Sequence, residues 1–347
     1  MKRRLTAVVA VATLLTAAGC AASGAPQTAS ASAAAPEIVL TFAGDVHFEK
    51  RVAELLKDPA TTFGPAAKQL AEGDLTLVNL ETPITSRGKA EVKTYVFRAP
   101  DASVAAMKAA GIDAVTLANN HSMDYGRQGL TDTIDKARKG GLGTIGAGRN
   151  INEAFTPWRQ TIKGVKIAVF GFSQVDELAK EWAATPNTPG LAMAFDTQRA
   201  YAAVRAARAD SDLVVVLPHW GIEGDQCPTS QQRDFAAGLI KAGADIIVGA
   251  HVHVLQGAGR SGDAYVAYGL GNFLWYSSGL FQPFSARAGI LQLTVRKREV
   301  IRSSFTPTVM TDTGQSRVLT GWQADLARKN LDQLQGCAHL DPVPGDR

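Results

Sequence analysis

Five of the six histidines in this 347-residue chain, His47, His121, His219, His251 and His253, follow short apolar runs of the kind that form buried strands. Imidazole is both the commonest metal ligand and a proton carrier near neutral pH, so histidines gathered at strand ends point to metal binding and to acid–base catalysis. The densest signal is Gly249-Ala250-His251-Val252-His253. Residues 245–248, Asp-Ile-Ile-Val, have the β-branched character of a strand buried on both faces, and extended backbone sends residues i and i+2 to the same side. His251 and His253 are therefore expected side by side at a strand end, on one metal or on one each of two metals ~3.5–4 Å apart. An H-x-H pair alone is weak evidence; other strand ends must support it.

They do. The run 37–42 leads to Asp45 and His47, and the run 75–78 to Asn79 and Glu81. The run 113–117 leads to Asn119, Asn120 and His121, and the run 212–217 to His219. The run 265–268 leads to Asn272, which either orients substrate or sits in a Gly-rich turn. Helical stretches are expected at 51–57, 65–70, 102–110, 129–139, 197–209, 231–242 and 322–334. Strands alternating with helices define an α/β domain, and ligands of such sheets collect at the carboxyl ends of the strands. Imidazoles with the Asp45 carboxylate suit Zn, Mn or Fe rather than Ca. Two motifs fail their context. Gly141 to Gly146 matches G-x-G-x-x-G but follows a helical run, so it reads as a loop, and neither Ser122 nor Ser173 stands in a nucleophile elbow.

The first twenty residues carry Lys2-Arg3-Arg4, an apolar run and the ending Ala17-Ala18-Gly19-Cys20. This is an export signal, too short for a membrane span, and the ending resembles the lipobox of bacterial lipoproteins, with Cys20 as the lipidated residue. The expected location is extracytoplasmic, anchored to the membrane by lipid; the alternative is a secreted protein cut at a plain signal site. Residues 21–36 are small and uncharged, a flexible linker. The domain is expected over 37–337, with a tail at 338–347. Removing residues 1–19 takes away three basic groups and no acidic ones, leaving 33 Lys+Arg against 32 Asp+Glu. Such a neutral chain gives no reason to invoke nucleic acid. Two further cysteines remain. In an oxidising exterior Cys227 and Cys337 form a disulfide stabilising by ~4–5 kcal/mol on the chain-entropy model; otherwise they are two buried thiols.

The stretches GDVHFEK, VNLETPIT, LANNHSMDYG, PHWGIE, GAHVHVLQG and YGLGNFLW, in that order, resemble the CapA family of poly-γ-glutamate capsule biosynthesis proteins, within the calcineurin-like metallophosphatases. The resemblance spans about residues 39–275 and implies a metallo-dependent phosphatase type of fold, a central β-sandwich flanked by helices. It also implies two divalent ions, of Mn, Fe or Zn. Asp45, His47 and His253 would bind the first, and Asn120, His219 and His251 the second. His121 would act as general acid or stabilise the transition state. Ordinary members bridge the ions with an aspartate; here Glu81, or Asn79 as a neutral ligand, stands in its place. Asn119 replaces a usual glycine. With both ions bound, water is activated for in-line attack on phosphorus. The implied partners are a phosphoester or an anionic envelope polymer and a capsule export or synthesis complex. Two roles follow: a metal-dependent hydrolase of phosphoester type, or a non-catalytic component that binds the polymer and assists export or anchoring. Amide hydrolysis of the polymer is a third.

Overall fold

The apolar runs become strands because both of their faces are covered. In chain order the strands are β1 Glu37–Val46, β2 Leu75–Leu80, β3 Ala114–Thr116, β4 Gly143–Ile145, β5 Ala147–Gly148, β6 Trp158–Ile162, β7 Val165–Ser173 and β8 Gly190–Leu191. They continue as β9 Leu213–His219, β10 Ile246–Val248, β11 Ala258–Ser261, β12 Ala264–Ala267, β13 Asn272–Leu274, β14 Arg287–Arg296, β15 Glu299–Met310 and β16 Ser316–Val318. In β7, Val165, Ile167 and Val169 enter one hydrophobic cluster while Ala168, Phe170 and Phe172 enter another. β9 repeats the alternation, with Leu213, Val215 and Leu217 on one side and Val214 and Val216 on the other.

The computed structural model describes residues 9–12, 35–276 and 283–343, and Ala35–Arg347 is one compact unit. The expected signal apart from 9–12, Cys20, and the linker as far as residue 34 lie outside the described residues. One sheet runs β16-β15-β14-β1-β2-β3-β4, with β13 also paired to β1; a second runs β11-β12-β10-β9-β7-β6; β5 and β8 pair separately. The segments β1-β2-β3-β4 and β7-β9-β10-β12 are parallel. The two sheets face each other across one apolar cluster that includes Leu40, Leu77, Val169, Val215, Ile246 and Leu293. Each outer face is covered by helices. Met107, Leu130 and Ile134 of helices Ala102–Ala109 and Gly126–Lys139 pack on the first sheet, and Val204, Phe235 and Leu239 of Thr197–Arg208 and Ser230–Ala242 on the second. This is the α/β sandwich flanked by helices that the sequence implies.

Helix ends follow local chemistry. Thr229 and Gln232 form a reciprocal capping box at the start of Ser230–Ala242, and Gly243 closes it at φ 113°, a left-handed conformation suited to glycine. The expected helix at 51–57 stops at Leu55, and the one at 65–70 begins as a 3-10 turn, Gly64–Ala66. The stretch read as a loop around Gly141–Gly146 contains β4, because pairing with β3 supplies order that no local pattern announces. Cys227 and Cys337 are bonded, with Cα atoms 5.7 Å apart, which ties the end of helix Gly321–Cys337 to the loop before Ser230. Packing continues past the expected boundary at 337: Asp341 pairs with Arg260, and Leu340 and Val343 are buried. Among the described residues no helix is long and apolar enough to cross a membrane.

Candidate metal centre

Sheet register assembles the first half of the site. Asp45 at the end of β1 lies opposite Asn79 of β2 on one side and Asn272 of β13 on the other. Gly44 makes this three-strand junction possible, since a Cβ there would fall 1.8 Å from the Gly271 carbonyl oxygen. The second half comes from the other sheet, where β9 ends in His219 and the chain leaving β10 carries His251 and His253. Extended geometry, expected for the histidine pair, is not what positions it. β10 stops at Val248, and His251 and His253 have φ of 95° and 57°, so a bent loop, and not a strand's i, i+2 alternation, brings their rings to 5.9 Å. Non-glycine residues in such conformations cost ~1–3 kcal/mol each and persist where the surroundings over-determine them.

Glu81 is the hub. Its carboxylate is fully buried, and Oε1 lies 3.9 Å from His121 Nε2, 3.8 Å from His219 Nε2 and 3.7 Å from His253 Nε2, yet has no hydrogen-bond partner. Oε2 accepts from Asn79 Nδ2 at 3.1 Å, and the same amide donates to Asp45 Oδ1 at 2.8 Å. Asn79 thus holds two carboxylates together through one neutral NH2 group. Burial, with the Asp45 charge adding to it, pushes the Glu81 carboxyl well above its ordinary range. Burial alone would lower His253, but the Glu81 and Asp45 carboxylates outweigh it and raise the ring to about 10. Its Nδ1 lies 2.9 Å from Asn272 Oδ1 and 3.2 Å from Asp45 Oδ2.

Beside this hub stands a His–Asp pair. His121 Nδ1 is 2.7 Å from Asp124 Oδ2, which leaves Nε2 turned to the site. Burial pushes Asp124 up to about 7 and His121 down. Buried Lys93 lies 3.1 Å from Asp124 and 2.7 Å from Glu177, and also donates to the Asn120 carbonyl. Asn120 donates to Glu177 at 3.1 Å and sets its Oδ1 2.9 Å from His219 Nε2.

Asp45, Glu81, Asn120, His121, His219, His251 and His253 are thus brought together. His47 is not. Its ring stacks on Phe97 at 4.8 Å, and Phe97 stacks on His121 at 4.1 Å, so a phenyl ring separates the two imidazoles. The His47 nitrogens face main-chain N–H groups, Glu49 at 3.0 Å from Nδ1 and Tyr276 at 3.2 Å from Nε2. Asn272 is 3 % exposed, and its amide is engaged by His253 and the Ser285 carbonyl. Asn119, the residue in the place of a usual glycine, is a staple. It donates to Asn79 Oδ1 and the Leu80 carbonyl, and accepts from the His121 and Ser122 N–H groups.

Among the described residues, two groups have ligand atoms close enough to share one ion, Glu81–His251–His253 and Asp45–Glu81–His219. The donor chemistry fits a divalent metal. Burial drives His219 and His251 towards the neutral form that a ligand must have, and Glu81 Oε1 and His251 Nδ1 are buried without partners. Sequence reasoning missed Asp124, Lys93 and Glu177 as members of the site. Asp124 had a signal, an acid three residues after His121; Lys93 and Glu177, from remote loops, had none.

Fold and site define a two-sheet α/β protein with a buried His/Asp/Glu centre where parallel strands end. Residues 39–277 match the family described as bacterial capsule synthesis protein PGA_cap, and the chain belongs to that family. It is 34 % identical over 248 residues to the capsule biosynthesis protein CapA of Bacillus anthracis, covering 69 % of this chain and 60 % of that one. It is 34 % identical over 240 residues to the PGA biosynthesis protein CapA of Bacillus subtilis, covering 68 % and 62 %. A probable polyglutamine synthesis accessory protein of Mycobacterium tuberculosis is 30 % identical over 233 residues, covering 64 % of this chain and 61 % of that one. The chain thus spans about three fifths of the length of these relatives. A solved phosphatase from Mycoplasma pneumoniae is similar at a TM-score of 0.49 and 16 % identity, over 79 % of this chain and 94 % of that one, and nothing about function follows from that likeness.

Proposed function

We propose that this protein serves capsule or poly-γ-glutamate biosynthesis at the cell envelope as a metal-dependent hydrolase of phosphoester type. The observation that carries the reading is the Glu81 Oε1 atom, buried without a partner and faced by three imidazole Nε2 atoms at 3.7–3.9 Å. Glu81, His219, His251 and His253, with Asp45 and Asn120 beside them, are the residues that would hold metal. A divalent ion bound there supplies Lewis-acid stabilisation to a phosphoryl group; Mn, Fe and Zn all suit the donors, and the motif order implies a pair of ions.

The chain's own residues then have separable tasks. Asp124 fixes the His121 ring through Nδ1, so that Nε2 is the atom that gives a proton to a leaving oxygen or donates to developing charge. Lys93 holds Asp124 and Glu177 in place. Asn272 and Asp45 orient His253 through Nδ1 and leave its Nε2 for the centre. Trp275, 4.7 Å from the His253 ring, forms one wall.

A second reading, polymer binding without turnover, draws support from Asn79, which puts a neutral amide between Asp45 and Glu81 where a bridging aspartate is usual. The test is hydrolysis of a generic phosphodiester by metal-loaded protein against His121→Ala and Asp45→Asn. Turnover that both variants abolish supports the hydrolase; bound metal with no turnover favours the binding role. We also place the protein on the outer face of the membrane, anchored by lipid on Cys20. Cys20→Ser should move it from the membrane fraction to the medium, and unchanged partitioning would defeat the anchor.

A further inference from the structure

We infer that the centre of this chain holds one metal ion, among Glu81, His251 and His253, and not the bridged pair implied by the order of its motifs. The inference rests on the metal-centre reading above and adds the count and the place.

The two candidate groups differ in what their atoms already do. In Asp45–Glu81–His219, the aspartate has one oxygen on Asn79 Nδ2 at 2.8 Å and the other 3.2 Å from His253 Nδ1. His219 has Nε2 against Asn120 Oδ1 at 2.9 Å and Nδ1 3.4 Å from Asn79 Nδ2. Three of these atoms, both Asp45 oxygens and His219 Nε2, are satisfied by protein. His47, the remaining ligand expected beside Asp45, stacks on the Phe97 ring and has its nitrogens against the main-chain N–H groups of Glu49 and Tyr276. Releasing it would require breaking a stacked contact and moving the chain at Tyr276.

In Glu81–His251–His253 the opposite holds. Glu81 Oε1 and His251 Nδ1 are buried without a partner, and His253 Nε2 lies 3.7 Å from Glu81 Oε1 and 4.0 Å from Glu223 Oε1, beyond hydrogen-bonding distance. An unpartnered buried polar atom is costly, and two in one group mark the place where a cation completes the structure.

The test is metal stoichiometry of the full-length protein, purified from metal-replete medium and measured by elemental analysis and native mass spectrometry. Wild type should carry one ion per chain, His47→Gln should keep it, and His251→Ala should lose it. Circular dichroism shows whether each variant is folded. With Mn2+ bound, the electron paramagnetic resonance spectrum should be that of an isolated ion and not of an exchange-coupled pair. Two ions per wild-type chain, or loss of metal from folded His47→Gln, would overturn the inference while leaving the metal-centre reading intact. No metal in wild type would overturn both.

Discussion

Replacing Glu81 by Gln should change stability in opposite directions with and without metal. Without metal the carboxylate is buried, its Oε1 has no partner, and burial disfavours its charge. Glutamine keeps the Asn79 contact through its carbonyl and removes a buried negative charge whose Oε1 has no hydrogen-bond partner. The His253–Asp45 contact at 3.2 Å survives and keeps the imidazolium paired. Removing one unpartnered buried charge is worth ~1–3 kcal/mol, so stripped Glu81→Gln should melt higher than stripped wild type, by roughly 2–6 °C at about 2 °C per kcal/mol. With metal the sign reverses. At a hundredfold excess over Kd a bound ion stabilises wild type by about 2.7 kcal/mol, and a variant lacking the carboxylate should gain little of that. Calorimetry of both proteins in chelator and in Mn2+ or Zn2+ gives the four melting temperatures needed. A variant that is less stable than wild type in chelator, and gains as much from metal, would refute the account of Glu81.

Three further outcomes are expected. Opening the Cys227–Cys337 bond with reductant, or by Cys337→Ser, removes a crosslink between residues 110 apart and should cost about 5 kcal/mol on the chain-entropy model; an unchanged thermal melt would count against that stabilisation. Asp124→Asn should leave metal content unchanged but lower kcat on a phosphodiester by about 10- to 100-fold, because the His121 tautomer is no longer fixed; equal activity would remove Asp124 from the site. The Arg87 hydrogen bond holds the Asp132 carboxyl down at about 2, so its contribution to stability is present above the unfolded value near 4 and is lost as pH falls through 2. Arg87 is largely in solvent, which keeps the effect small, readable as a shallower acid transition in Asp132→Asn.

What the sequence made legible was chemistry attached to regular elements. Apolar runs ending in Asp45, Glu81, His121 and His219 became parallel strands with those residues at their carboxyl ends, because burial on both faces dictates composition and strand direction dictates which end carries the ligand. What it hid depends on tertiary contact. His251 and His253 read as a strand end, but a left-handed loop positions them, and no two-residue period encodes such backbone. Lys93 and Glu177 meet Asp124 and Asn120 only in the fold. The resemblance made His47 a metal ligand by order in the chain; only the fold shows the Phe97 ring between it and His121.

The most direct measurement is anomalous scattering from crystals of the protein grown with Mn2+ or Zn2+, collected at the absorption edge of the metal. A single anomalous peak bounded by Glu81, His251 and His253 is expected. No peak there, or a peak between Asp45 and His47, would contradict the one-ion centre.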